Sequence, residues 1–224
     1  ETNKKMTINA SKSKNVGGRK PIEPVAPGTY PARLVSVVDI GLQEQYEYQG
    51  QKKDPAYMIL VTFELTDEFL KDENGNDDPT KPRWVSDSFG LYNLSNDKAK
   101  STKYYIALDP KMQFGGDWGK LIGTPCMVTI THNPGKGKNA GRVFEKIAAI
   151  AAMRPKDAEK VAPLVNKPVV FEIDSADVET FKSLPEWVQK RIASSLEFDG
   201  SKLAIALGGE PTEEDEGSDE LDGQ

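Results

Sequence analysis

Apolar and polar residues alternate with a period of two through residues 28–40, where Tyr30, Ala32, Leu34, Ser36, Val38 and Ile40 interleave with Pro31, Arg33, Val35, Val37 and Asp39. Such a period sends successive side chains to opposite faces of a pleated strand and does not fit a helix. A second run, Tyr57, Ile59, Val61, Phe63 and Leu65, follows Pro55, and further strands are expected over residues 83–91, 125–132 and 142–150. Between the third and fourth, residues 97–108 have helical composition, with Ser95 as the expected cap and Asp109-Pro110 as the stop. A short helical turn is expected around Trp118, Leu121 and Ile122. Residues 71–82 (KDENGNDDPTKP) are all turn formers, and residues 41–55 suit a long loop or protruding hairpin that exposes Tyr46 and Tyr48.

Five strands with one helix between the third and fourth is the order of an OB-fold barrel. Other small β barrels share the strand count, so the helix position carries the inference. The expected fold is therefore mainly β, a five-stranded OB-fold barrel with an inserted helix over residues 28–153. Residues 1–27, with Lys4, Lys5, Lys12, Lys14, Arg19 and Lys20, are expected to form a basic flexible arm. Residues 154–208 suit a small α-helical C-terminal extension of a strand plus helices. It should hold a short helix at 156–161, an extended segment at 168–173 and two helices. The first is capped by Ser175 and carries Val178 and Phe181; the second opens at Pro185 and sets Trp187, Val188, Ile192 and Leu196 at helical spacing. Trp187 and Ile192 should pack on the barrel or on another copy.

Residues 209–224 form an acidic tail whose eight carboxylates, Glu210, Glu213, Glu214, Asp215, Glu216, Asp219, Glu220 and Asp222, meet no basic group. Setting those eight aside leaves 27 of the 35 acids against 29 Lys and Arg, so a slightly basic body carries an anionic appendage. With one Leu and no aromatic, the tail cannot bury enough apolar surface to offset its chain entropy and is expected to be disordered. Tethered to such a body, it would compete with any polyanion the body binds.

Signals for catalysis are weak, and no enzyme activity, cofactor or metal is expected. One cysteine, Cys126, excludes an internal disulfide, and one histidine, His132, argues against an ordinary zinc site; both suit strand positions. In the acid-rich turn at 71–82, Gly75 falls one place early for an EF-hand. The turn NPGKGKNAGR lacks Walker spacing and joins two strands, where a phosphate loop must open a helix. No apolar run approaches the roughly 20 residues of a membrane span, and the first thirty residues lack a signal-peptide core, so an intracellular site of action is expected. The chain opens at Glu1 rather than Met, so residues preceding it are expected.

Binding signals are stronger. A single strand of nucleic acid is held by a basic groove that tracks phosphates and by aromatic faces that take the bases. Here Arg33 is near Tyr30, Lys52 and Lys53 near Tyr46 and Tyr48, Arg83 beside Trp84, Lys103 beside Tyr104 and Tyr105, and Arg142 near Phe144. Strand alternation lets only one of Trp84 and Phe89 point inward.

The blocks GTYPARLVSVVDIGLQEQYEYQGQKKDPAYMILVTFELTDE, RWVSDSFGLYNLSNDKAKSTKYYIAL and GKLIGTPCMVTITHNPGKGKNAGRVFEKIAAI, within residues 28–150, resemble single-stranded DNA-binding proteins encoded by bacteriophages. Residues 171–198, with the pattern Leu-Pro-Glu-Trp-Val-Gln, are similar to a C-terminal extension of such proteins. The resemblance implies sequence-independent coating and protection of single-stranded DNA during phage DNA replication, recombination or repair, in the cytoplasm of the infected bacterial host. It implies Arg33, Lys52, Lys53, Arg83, Lys103, Lys136, Lys138 and Arg142 as phosphate contacts, and Tyr46, Tyr48, Trp84, Tyr92, Tyr104 and Phe144 as stacking residues. Partners would be single-stranded DNA, phage replication or recombination proteins reached through the acidic tail, and further copies of the chain, with no membrane. The tail ends Leu221-Asp222-Gly223-Gln224 without an aromatic tip, which favours electrostatic competition over apolar docking. Two other functions fit less well: a virion or assembly interaction protein on an OB-like barrel, and a metal-dependent nuclease using carboxylates such as Glu172 and Asp174.

Overall fold

The computed structural model describes residues 22–47 and 50–209. Six strands make one sheet: β1 (Gly28–Gln43), β2 (Ala56–Lys71), β3 (Asp77–Gly90), β4 (Pro125–Pro134), β5 (Val143–Ala152) and β6 (Val169–Phe171). The path β3-β2-β1-β4-β5 is antiparallel throughout, and β6 lies parallel to β1. Among the described residues no backbone ladder joins β3 to β5, so the sheet is open and lacks the hydrogen-bonded closure of a barrel. The chain is mainly β, with the helix α1 (Lys100–Leu108) between the third and fourth strands.

β1 serves two partners along one edge. Its first half pairs with β4, from Gly28 opposite Ile130 to Arg33 opposite Pro125, and Ser36 to Val38 then pair with β6. Register shifts in β1 between Leu34 and Ser36 and between Asp39 and Leu42 break the strict alternation. Val37 thereby joins a core with Leu34, Phe63, Tyr105 and Val128, while Val38 joins a second core with Leu60, Phe171, Val188 and Ile192. The second half of β1 is thus covered on both faces, the far one by the C-terminal extension.

That extension comprises α2 (Pro155–Ala158), β6, α3 (Val178–Ser183), α4 (Glu186–Ala193) and α5 (Lys202–Ala206). Ile192 is buried in the second core as expected, but Trp187 stays 56% exposed. The cap of α3 is Asp177, whose carboxylate accepts from the Thr180 amide, whereas Ser175 closes a 3-10 turn by bonding the Glu172 carbonyl. α5, capped by Ser201, is a further helix. The extension seats closely because residue 41 is glycine: at φ +73°, an added Cβ would meet Ser195 Oγ at 2.3 Å.

Two local expectations fail. Residues 71–82 are not all turn, since β2 continues to Lys71 and β3 starts at Asp77. The reversal needs only 72–76, where Asp72 Oδ1 accepts from the Asn74 and Asn76 amides and Gly75 takes φ +86°. Ser95 does not cap α1; its amide bonds Asn93 Oδ1, and the helix begins after Ala99 with no side-chain cap.

Residues 22–27 belong to the folded unit although the sequence suggests a flexible arm there. Val25 is 4% exposed within the first core, its amide donates to Glu145, and its carbonyl accepts from His132 Nε2 at 2.7 Å. Cys126 is fully buried in β4, and burial pushes its thiol up to about 12. Ordinary alkylating reagents at pH 8 are therefore expected to leave it intact in the native protein and to modify it fully in denaturant. Fast labelling of native protein would contradict this burial. No helix among the described residues is long and apolar enough to cross a membrane.

Candidate nucleic-acid interface

The gap between β3 and β5 brings basic and aromatic residues together. On β3, Val85 and Phe89 point into the core, which leaves Trp84 outside at 50% exposure. On β5, Ile147 points inward and Phe144 is 45% exposed. Arg83 and Glu145 form an ion pair across the seam at 2.9 Å, and the strap at Val25 bonds the same carboxylate. The result is an open cleft of about 460 Å³, flanked by Trp84 and Phe144, with Val143, Leu70, Ile22 and Pro24 supplying apolar contact.

Phe144, Lys146 and their β4 partners Asn133 and Thr131 lead from this cleft into a second groove of about 580 Å³ under α1. It is lined by four lysines: Lys98, Lys100, Lys103 and Lys146. Lys100 is held in place by an ion pair with Asp87, and its ammonium lies 5.2 Å from the Tyr104 ring and 5.8 Å from that of Phe89. Successive outward residues of β5 are only about 6.6 Å apart, so Phe144 and Lys146 set an exposed ring beside a cation on one strand face.

The far end of the sheet has the opposite sign. There Asp39, Asp117, Glu172 and Asp174 line a depression of about 380 Å³ beside Tyr57 and Leu91. Burial raises the Asp39 carboxyl above its usual range. The exposed aromatics therefore fall into two groups with opposite electrostatic surroundings. Trp84 and Phe144 adjoin cations, whereas Tyr92, half-exposed and folded over Gly90, follows Leu91 at the acidic rim.

The remaining candidates are scattered. Arg33 is committed to the main chain, donating to the carbonyls of Gly123, Val161 and Ala162 at 2.6–2.9 Å. Tyr104 lies in the core at 4% exposure, its hydroxyl donating to Asp87 and its ring edge-on to Phe89, so it offers no free face for a base. Burial, then the Asp87 carboxylate, push its phenol far up. Tyr46, 91% exposed, and Lys52, 3.8 Å from Glu44, sit with exposed Lys53 in the β1–β2 loop, away from the cleft. Lys136 and Arg142 are exposed on the β4–β5 turn that leads into Phe144. Tyr48, the side chain of Lys138 and the tail carboxylates Glu210, Glu213, Glu214, Asp215, Glu216, Asp219, Glu220 and Asp222 lie outside the described residues.

The sequence did not single out Lys98, Lys100 or Lys146. Lys146 had a signal, since it lies two residues beyond Phe144 on the same strand face. Among the described residues no group of three or more His, Cys, Asp or Glu converges to hold a metal. No family model, curated protein or solved structure matches the chain.

Proposed function

We propose that this chain binds single-stranded DNA without sequence preference. The observation that carries the proposal is the adjacency of the Trp84–Phe144 cleft to the groove of four lysines, Phe144 of the first pairing across the β4–β5 ladder with Asn133 of the second. Aromatic faces accept any base, lysines accept any phosphate, and no part of the site is a base-reading helix. The strand order, with α1 between β3 and β4, supports an OB barrel whose seam is filled by Val25 and by the Arg83–Glu145 pair in place of a ladder. The phage-like order of sequence blocks supports a role in coating and protecting strands during viral DNA replication, recombination or repair in the bacterial cytoplasm. The acidic tail would act as a tethered competitor for the lysine groove.

Fluorescence titration with oligo-dT, oligo-rU and duplex DNA at several salt concentrations tests this. Oligo-dT should bind more tightly than duplex. With Lys100 paired to Asp87, the other three lysines, Lys98, Lys103 and Lys146, each displacing a counterion from single-stranded DNA, give a slope of about −2 for log K against log salt. In Lys103→Ala/Lys146→Ala the slope should become shallower by roughly 1.4, at about 0.7 per phosphate contact. Equal affinity for duplex and single strand would defeat the stacking argument.

A further inference from the structure

Of the three tryptophans, Trp118 is 7% exposed in the core, while Trp84 and Trp187 are half-exposed. Trp84 borders the β3–β5 cleft on one side and, on the other, a separate groove of about 330 Å³ between the sheet and α4. The floor of that groove combines Val35, Val38 and Leu60 with the hydroxyls of Ser36, Thr62 and Ser86. Its far wall is Trp187, with Leu184 and Val188 beneath, and Lys167 stands among the lining residues as the cation. We propose that this groove is a nucleobase subsite, and that Trp187 makes the C-terminal extension part of the DNA-binding surface. This inference rests on the proposed single-strand function.

Three observations favour a base as the occupant. The wall is fixed before any ligand arrives. Val188 and Ile192 are buried at 1% and 0% exposure, Gln189 Nε2 donates to the Leu184 carbonyl at 2.7 Å, and Gln43 Nε2 ties the Arg191 carbonyl to β1 at 2.9 Å. Those contacts fix the helix that carries the indole, so stacking on Trp187 orders one side chain and not the backbone beneath it. The two indoles also line the same open groove of about 330 Å³. Finally, the polar groups suit a base edge without selecting one. Thr62 Oγ1 and Ser86 Oγ lie 2.9 Å apart and either can donate, so a purine or a pyrimidine finds a donor and an acceptor there. Lys167 supplies the charge that an adjoining phosphate requires. Because Trp84 is shared, bases taken on its two sides would follow one another along a strand passing from the β3–β5 cleft to the extension.

Trp187→Ala and Trp187→Phe test the subsite in the full chain, with oligo-dT as the probe. Trp187→Ala is expected to weaken binding by roughly 5- to 150-fold, the range for one stacked base. Its salt slope should stay at the wild-type value, because no phosphate contact is removed. Trp187→Phe should restore most of the affinity, since a benzene ring still stacks. Photocrosslinking with 5-iodouridine-substituted oligo-dT should label the α4 peptide. An alternative in which α4 only supports the sheet predicts a lower melting temperature for Trp187→Ala with unchanged affinity and no α4 crosslink. That result, obtained while the wild type binds oligo-dT normally, overturns the subsite alone. A wild type that binds no oligonucleotide overturns the single-strand function and the subsite with it.

Discussion

Replacing Trp84 and Phe144 together by alanine is expected to weaken oligo-dT binding by roughly 30-fold to 10⁴-fold, from two stacked bases at about 1–3 kcal/mol each. The two rings flank one cleft from different strands, and both are about half-exposed. Their removal should therefore cost the fold little while taking two platforms from the strand. Substitution of the groove lysines leaves a different signature. Those changes flatten the salt dependence and weaken duplex and single-strand binding alike, whereas the aromatic pair should leave the salt slope intact and narrow the preference for single strands. Titration of Trp84→Ala/Phe144→Ala at two salt concentrations separates these outcomes. An affinity within twofold of wild type would remove the cleft from the binding surface.

Most of the sheet was legible because its signal is local. Alternation located the first two strands and flanking turn formers and glycines bounded the next three, while odd-even counting put Trp84 and Phe89 on opposite faces, of which Trp84 takes the outward one. The helix between the third and fourth strands was legible from composition and from its Asp109-Pro110 stop. Contacts across large sequence separations were not. Arg33 has the spacing of a surface cation beside Tyr30, yet its guanidinium reaches carbonyls about 90 and 128 residues away. Tyr104, followed by Tyr105, reads in the sequence as a stacking residue beside Lys103. Both are buried because Tyr105 packs on Trp118 while Tyr104 packs on Phe89, so two sides of α1 are covered. The seam between β3 and β5 was equally hidden, since its strap comes from residues whose composition suggests a solvated arm. The lysine groove emerges only when β5 and α1 are brought together in space.

Glu64→Ala is expected to lower stability by about 3 kcal/mol, because three part-buried N–H donors would lose a charged acceptor, each such bond being worth about 1.5–3 kcal/mol before water replaces part of it. Glu64 is 1% exposed on β2, opposite Trp84, and among the described residues it forms no ion pair. Its carboxylate instead accepts from the Val165 amide at 2.7 Å, the Asn166 amide at 3.1 Å and Asn166 Nδ2 at 2.6 Å. Those residues lie in the linker that carries the chain from β5 to β6 and the helices beyond. For a chain of this size the loss corresponds to a melting temperature about 10 °C lower. Glu64→Gln should fall between alanine and wild type, since an amide keeps one acceptor oxygen but turns a donor toward the linker amides. Limited proteolysis should cut Glu64→Ala within residues 159–168 under conditions that spare the wild type, because the anchor is local even though its loss is felt globally. A Glu64→Ala protein that melts and digests like wild type would show that the linker is held by other contacts. If instead it loosens, oligo-dT affinity should fall with it, because Lys167 follows Asn166 in the linker and Trp187 depends on the same linker to reach the sheet face.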